Sequence, residues 1–217
     1  MIVAALAAMA ESETDKRLKH SAEVLEEVMG AFDKAIPQKV LDKSECAVIV
    51  PGLIKGAFIF GAKYGRGFVT CRKQGGVGWS ALAGVRVEGG SFGFQFGGSE
   101  TDVIMLVMNE KGAQRLLSNK FTVGVDAMAA AGPVGRTAEA ETDATMRAEI
   151  LTWSRSRGLF AGVSLQGATL RQDLDVNEDM YGKKMENKDV VTSGKAVPSA
   201  GQKLITLLSK YSARKVK

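Results

Sequence analysis

Between Ser12 and Ile36 the apolar residues Leu18, Leu25, Val28, Met29, Phe32 and Ile36 return every three or four positions, with Glu, Lys and Asp filling the other face. That spacing predicts an amphipathic helix. Its early turns carry Lys16, Arg17, Lys19 and His20, and Pro37 then suits the first turn of a short second helix. After Lys43 the period changes to short β-rich runs: CAVIVP, GAFIFGAKY and GRGFVTCRK, the last two reading as a hairpin that turns near Gly65-Arg66-Gly67. Alternation from Ala83 to Phe96 predicts another hairpin around Gly89-Gly90. Val103 to Met108 is apolar at every position, as in a strand buried on both faces. Asn109 has the chemistry of an N-cap for a helix from Glu110 to Leu117.

Strand texture returns at Phe121 to Ala130, Arg147 to Ser154 and Leu159 to Gly167. These runs lie too close together for parallel crossovers, which need a dozen or more residues each. The expected fold class is therefore α+β: a mostly antiparallel curved sheet or partial barrel with flanking N-terminal and C-terminal helices. Beyond Arg171 the acidic DLDVNEDMYG reads as a solvated turn, and polar Gly182 to Val197 as a mobile surface loop. A last amphipathic helix from Ser199 to Tyr211 turns Leu204, Ile205, Leu207 and Leu208 inward, and the tail ARKVK frays.

At 217 residues the chain can bury one large core, and one domain over 11–217 is the expectation. Residues 1–10, MIVAALAAMA, are either the remnant of an export signal, ending in a small-residue pattern without a basic start, or an apolar extension of the first helix. An exported, envelope-associated protein, peripheral to the membrane, follows from the first option and a cytoplasmic one from the second. No apolar run reaches the roughly 18 residues of a spanning helix. Cys46 and Cys71 sit in apolar strand-like sequence, as buried thiols or as one disulfide in an oxidising compartment.

A net charge of +5 is too small to imply nucleic-acid binding, but its distribution is uneven. No acid falls between Glu45 and Glu88, where 24 acids in 217 residues would place roughly four or five, while Lys55, Lys63, Arg66, Arg72, Lys73 and Arg86 all do. Either a glycine-rich apolar sheet leaves little room for acids there, or the window builds an anion-facing surface.

Catalytic chemistry finds little support. Acid-base and nucleophilic catalysis lean on a group that titrates near neutrality, and the one histidine, His20, falls on the polar face of the first helix. Asp173, Asp175 and Asn177 open like a calcium loop, but Glu178 replaces its glycine and Lys184 its bidentate glutamate. The clusters GRG, GGVG and GPVG lack phosphate-loop spacing and read as turns. Phe58, Phe60, Phe68, Phe92, Phe94 and Phe96 alternate as core residues, without the basic interleaving of a base-stacking platform. The expectation is a binding protein, not an enzyme, with no cofactor, no metal and no nucleic-acid partner.

The string VIVPGLIKGAFIFGAKYGRGF from Val48 to Phe68 resembles the signature of the SYLF family of lipid-binding domains. GGSFGFQFGGSETDVIMLVMNEKGAQRLL, AAAGPVGR and WSRSRGLFAGVSLQGATLRQDLDVNEDMYG resemble further family blocks in the same order, over roughly Val24 to Leu208. The resemblance implies a domain that binds acidic phospholipids, phosphoinositides among them in eukaryotic relatives, while some fungal relatives bind actin filaments; the export-like start suggests a bacterial stand-alone member. The expected head-group contacts are Lys55, Lys63, Arg66, Arg72 and Lys73, with Lys16, Arg17 and Lys19 as a second patch. Each cation near an anionic bilayer contributes on the order of 1 kcal/mol. Leu18 and Leu25 would add anchoring if the first helix detached, and Arg155 and Arg157 read equally as lipid contacts or ion-pair partners. The alternative function is a protein-interaction or scaffolding module with an actin-like filament or a cell-envelope partner.

Overall fold

The computed structural model describes residues 11–31, 35–58, 60–92, 97–135, 147–156, 159–163, 165 and 167–212. The expectations for residues 1–10, for Phe94, Phe96 and Arg157, and for the tail 213–217 lie outside that set.

Helix α1, Glu13–Gly30, begins where Ser12 Oγ accepts the Asp15 amide at 3.0 Å, with Glu13 and Asp15 in its first turn. It is shorter than its periodicity predicts and stops at Gly30. Helix α2, Gln38–Lys43, follows Pro37. Nine strands follow among the described residues: β1 Cys46–Phe58, β2 Phe60–Cys71, β3 Ala83–Phe92, β4 Gly97–Val107, β5 Lys120–Thr122, β6 Ala129–Ala131, β7 Ile150–Ser156, β8 Leu159–Gly162 and β9 Thr169–Gln172. Helix α3, Glu110–Leu116, sits between β4 and β5 and is capped as expected by Asn109, which accepts the Gly112 amide at 2.8 Å. Helices α4, Leu174–Tyr181, α5, Asn187–Thr192, and α6, Gln202–Tyr211, close the chain.

The strands form one sheet in the order β5-β9-β3-β2-β1-β4-β7-β6, with β8 also on β7, and every pairing is antiparallel except β6 with β7. Strands β1 to β4 make a Greek key, since β4 returns beside β1. The two ends of the sheet are joined by the short stretch between Thr122 and Ala129. Seven residue steps reach at most about 25 Å, whereas eight strands laid flat would span about 34 Å. The sheet must therefore curl, and it forms an open half-barrel.

Alternation along the strands then divides the core in two. Ala47, Ile49, Phe68, Ile104, Leu106 and Trp153 point to the convex face, where Leu18, Leu25 and Val28 of α1 and Leu204 and Leu208 of α6 cover them. Val48, Val50, Val69, Val85, Met105 and Phe121 fill the concave side with Leu116 of α3 and Val190 of α5. Val103 to Val107 is buried throughout, as its unbroken apolar run predicts.

Neither predicted hairpin turn stands where the pattern places it. Gly65-Arg66-Gly67 lies inside β2, and the reversal falls between Phe58 and Phe60. The glycines are needed for close approach: a Cβ on Gly67 would stand 2.1 Å from the Ile49 carbonyl oxygen, and one on Gly65 2.8 Å from Leu53 Cδ1. Gly89-Gly90 likewise lies inside β3, which never pairs with β4. Strand β9 has no counterpart in the sequence pattern, and Phe121 to Ala130 is two short strands separated by a turn.

The acidic turn and mobile loop are also corrected. DLDVNEDMYG is α4, and it aims Asp173, Asn177 and Tyr181 at β3. Asn177 accepts the Gly84 amide at 2.7 Å and donates to Asn187 at 2.8 Å, Asn187 donates back to the Gly84 carbonyl at 2.9 Å, and Tyr181 donates to the Leu82 carbonyl at 2.6 Å. Asn187 opens α5, whose Val190 and Val191 enter the concave core. The polar residues of this stretch thus satisfy buried main-chain groups.

Cys46 and Cys71 are joined by a disulfide, closing the base of the β1–β2 hairpin where the two residues are register partners.

Candidate anion-binding surface

Arg66 on β2 stands opposite Arg86 on β3, Arg86 opposite Arg171 on β9, and Arg171 opposite Lys120 on β5. Register partners share a face, so four cations from four strands form one row on the convex side, beyond the edge of α1. Like charges directly opposite one another repel, and such a row needs counter-charge. Glu88, two residues along from Arg86 on the same face, meets Arg86 Nε at 2.9 Å and Arg171 Nε at 3.0 Å. Buried Asp173, the N-cap of α4, holds Arg66 Nε at 2.7 Å and Nη2 at 3.1 Å. Glu88 and Asp173 touch the row directly, and Asp175 of α4, itself paired with Lys184, also feels Arg66 and Arg86, so the row is partly neutralised, with exposed Lys120 lacking a carboxylate partner among the described residues.

The next row outward places Tyr64 opposite Ile54, with Glu88 and Glu100 on their flanks. Ile54 is 58% exposed and Tyr64 48%. A bulge in β1 is the cause. Register shifts between Val50 and Leu53, around Gly52 at φ 63°, so Leu53 turns into the concave core and Ile54 turns out to solvent. Asp102 pins the bulge: its Oδ1 accepts the Gly52 amide at 2.9 Å and its Oδ2 accepts Arg155 Nε at 2.8 Å, while Arg155 also pairs with Glu27 of α1. Burial pushes the Asp102 carboxyl above its ordinary value, against the pull of the Gly52 amide and of His20, whose Nε2 lies 3.9 Å away. Arg155 is therefore an ion-pair partner that ties α1 to the sheet, and His20 borders this cluster instead of standing alone in solvent.

The cations expected to bind head groups do not form one patch. Lys55 and Lys63 are register partners near the hairpin end. Lys63 is three residues from Arg66 on one strand, which puts the two on opposite faces. Arg72 is engaged inside the protein: it donates to the carbonyls of Leu41 at 3.1 Å, Ser44 at 3.2 Å and Ser212 at 3.2 Å, and lies 3.9 Å above the Trp79 ring. Lys73 is exposed just past the far end of β2. On α1, Lys16 pairs with Glu13 at 2.7 Å and Lys19 with Glu11 at 2.8 Å, while Arg17 is half-exposed. Leu18 and Leu25 are buried in the convex core with Val24 and Val28. Withdrawing those four side chains would cost roughly 6–12 kcal/mol, more than a handful of cations recovers at about 1 kcal/mol each on a bilayer.

Of the row, the expected contacts include Arg66 and leave out Arg171 and Lys120, since register between strands far apart in sequence leaves no local signal. No helix among the described residues is long and apolar enough to cross a membrane.

Residues 88–211, more than half of the chain, match the family described as Ysc84, Las17-binding protein actin regulator. The chain is 33% identical over 187 residues to the SH3 domain-containing protein PJ696.02 of Schizosaccharomyces pombe, covering 84% of this chain and 43% of that protein. It is 31% identical over 186 residues to Protein YSC84 of Saccharomyces cerevisiae, covering 84% and 39%. With the human SH3 domain-containing YSC84-like protein 1 the identity is 28% over 183 residues, covering 84% and 53%. The chain thus spans about half the length of these relatives or less.

Proposed function

The chain belongs to the Ysc84 family, the same family as its SYLF resemblance, and on that premise we propose that it is a non-catalytic module that attaches to anionic phospholipid surfaces. The observation that carries this reading is the row Arg66, Arg86, Arg171 and Lys120, with exposed Ile54 and Tyr64 beside it. A positive row attracts the negative leaflet, and adjacent apolar side chains enter the head-group boundary. The attachment is peripheral, and residues 11–217 act as one unit. The Cys46–Cys71 bridge supports an oxidising, exported location, since such bonds persist there.

Flotation with vesicles of phosphatidylcholine, with and without phosphatidylserine, tests the reading. Adherence only to the anionic vesicles, weakening as salt rises, is the expected result; equal recovery with both would defeat it.

A second reading is favoured by the family description: a scaffolding surface for an acidic protein partner, such as an actin filament. Filaments also present negative charge, and the same row would meet them. Cosedimentation with filaments in the absence of lipid separates the two readings.

A further inference from the structure

The stretch between β5 and β6 holds two apolar side chains out into solvent: Val125 is 77% exposed and Met128 55%. It is not a loose loop. Gly124 N donates to the Ala127 carbonyl at 2.9 Å, Val125 N and Asp126 N donate to the Thr122 carbonyl at 3.2 and 2.9 Å, and the Asp126 carboxylate accepts the Thr122 amide at 2.5 Å. Arg115 of α3 donates to the Asp126 carbonyl at 2.5 Å and to Glu149 at 3.1 Å, fixing the turn to the body of the protein. With its main chain held this way, Val125 cannot fold back onto the core.

Directly beside it lies an open cleft of about 610 Å³, lined by Lys111, Arg115, Ser118, Lys120, Val125 and Asp126. Lys111 and Lys120 have no carboxylate partner among the described residues. Lys120 is also the last member of the cationic row, so the row that begins on β2 reaches the edge of the sheet beside an exposed apolar tip. Two such ammonium groups flanking a rigid apolar turn match a surface whose outer layer is anionic and whose next layer is hydrocarbon.

We propose that the 123–128 turn is the element that enters an anionic bilayer, with Val125 and Met128 in the acyl boundary and Lys111 and Lys120 on the head groups. The inference rests on the lipid-binding reading above and gives it an orientation: the β5–β6 corner faces the membrane, and α1 stays docked on the core.

The test uses the full chain carrying Val125→Trp. The native Trp79 and Trp153 are buried and supply a constant background. On adding phosphatidylserine vesicles, the variant's emission shifts to the blue and is quenched by lipids brominated on their acyl chains, while wild type shows neither change. The double variant Val125→Asp/Met128→Asp keeps its thermal melt and binds these vesicles roughly tenfold more weakly. If wild type and the Val125→Trp variant both float on anionic vesicles and the variant's added indole emission stays unshifted, the turn is not the entry point and the lipid reading survives without it. Wild type that fails to float overturns both. A blue shift with actin filaments but not with vesicles assigns the turn to a protein interface and overturns the inference.

Discussion

The base and the outer half of the β1–β2 hairpin use the same residue types in opposite ways. At the base, Arg72 fans its guanidinium over main-chain carbonyls of Leu41, Ser44 and Ser212, stacks on Trp79, and sits next to the Cys46–Cys71 bridge. Further along β2, Arg66 stands in an open row of cations with Tyr64 exposed beside it. The two arginines lie six residues apart in one acid-free stretch, and sequence gives them equal standing. What separates them is the neighbourhood. Where the end of α2 and the segment after α6 converge on the base, main-chain carbonyls capture the cation. Along the row, the N-cap of α4 supplies Asp173 to Arg66 and Glu88 joins Arg86 and Arg171, so carboxylates and not carbonyls face the cations.

Breaking the base should have the largest effect on stability. Arg72→Ala withdraws one guanidinium from the carbonyls of Leu41, Ser44 and Ser212, of which Leu41 keeps the Ser44 and Ser212 hydroxyls, and uncovers the face of Trp79, and a loss of about 4 kcal/mol in chemical denaturation is expected. Arg72→Lys should recover little of it, because one ammonium cannot span three acceptors. Cys46→Ser/Cys71→Ser opens a loop with a sequence separation of 25 and should cost about 3 kcal/mol. Neither change should alter the affinity of the folded fraction for anionic vesicles, and a large loss there would show that the base also contributes to binding.

The outer half should respond in the reverse sense. Arg86→Glu/Arg171→Glu replaces two cations of the row with negative charges beside Glu88. Since each cation contributes on the order of 1 kcal/mol near an anionic leaflet, vesicle affinity should fall at least about thirtyfold at low salt, with a melting temperature within a few degrees of wild type. Unchanged adherence would exclude the row as the contact surface.

The two halves also differ in how far they can be read from sequence. The amphipathic spacing of α1, the apolar run of β4 and the Asn109 cap are local patterns, and each is in place. The turns escape a local reading because Gly65 and Gly67 resemble punctuation, while their role is to let β1 approach within Cβ distance. The acidic stretch from Asp173 escapes it for a related reason. Asp173, Asn177 and Tyr181 are hydrophilic, yet they recur four apart along one helix face and meet Arg66 of β2, the Gly84 amide of β3 and the Leu82 carbonyl just before it. Their partners Leu82 and Gly84 are far away in sequence, as are the partners that complete the cationic row. Legibility therefore ends where a contact depends on register between distant strands.

Tyr181 offers the mildest way to probe that distant pairing. Its hydroxyl donates to the Leu82 carbonyl at 2.6 Å in a largely apolar setting, and burial drives its pKa well above the ordinary 10.0. A group whose folded pKa is raised contributes stability that is fully present below the unfolded value and is lost as pH rises through the folded one. The native state should thus hold to about pH 10 and then weaken, as the unfolded chain ionises its tyrosine and the folded chain resists. Tyr181→Phe removes both the hydrogen bond and this proton. It should cost about 1 kcal/mol at neutral pH and flatten the decline above pH 10 relative to wild type, measured as melting temperature by circular dichroism. Parallel curves for the two proteins above pH 10 would mean that the contact between α4 and β3 does not govern the alkaline limb, and that the lysines alone set it.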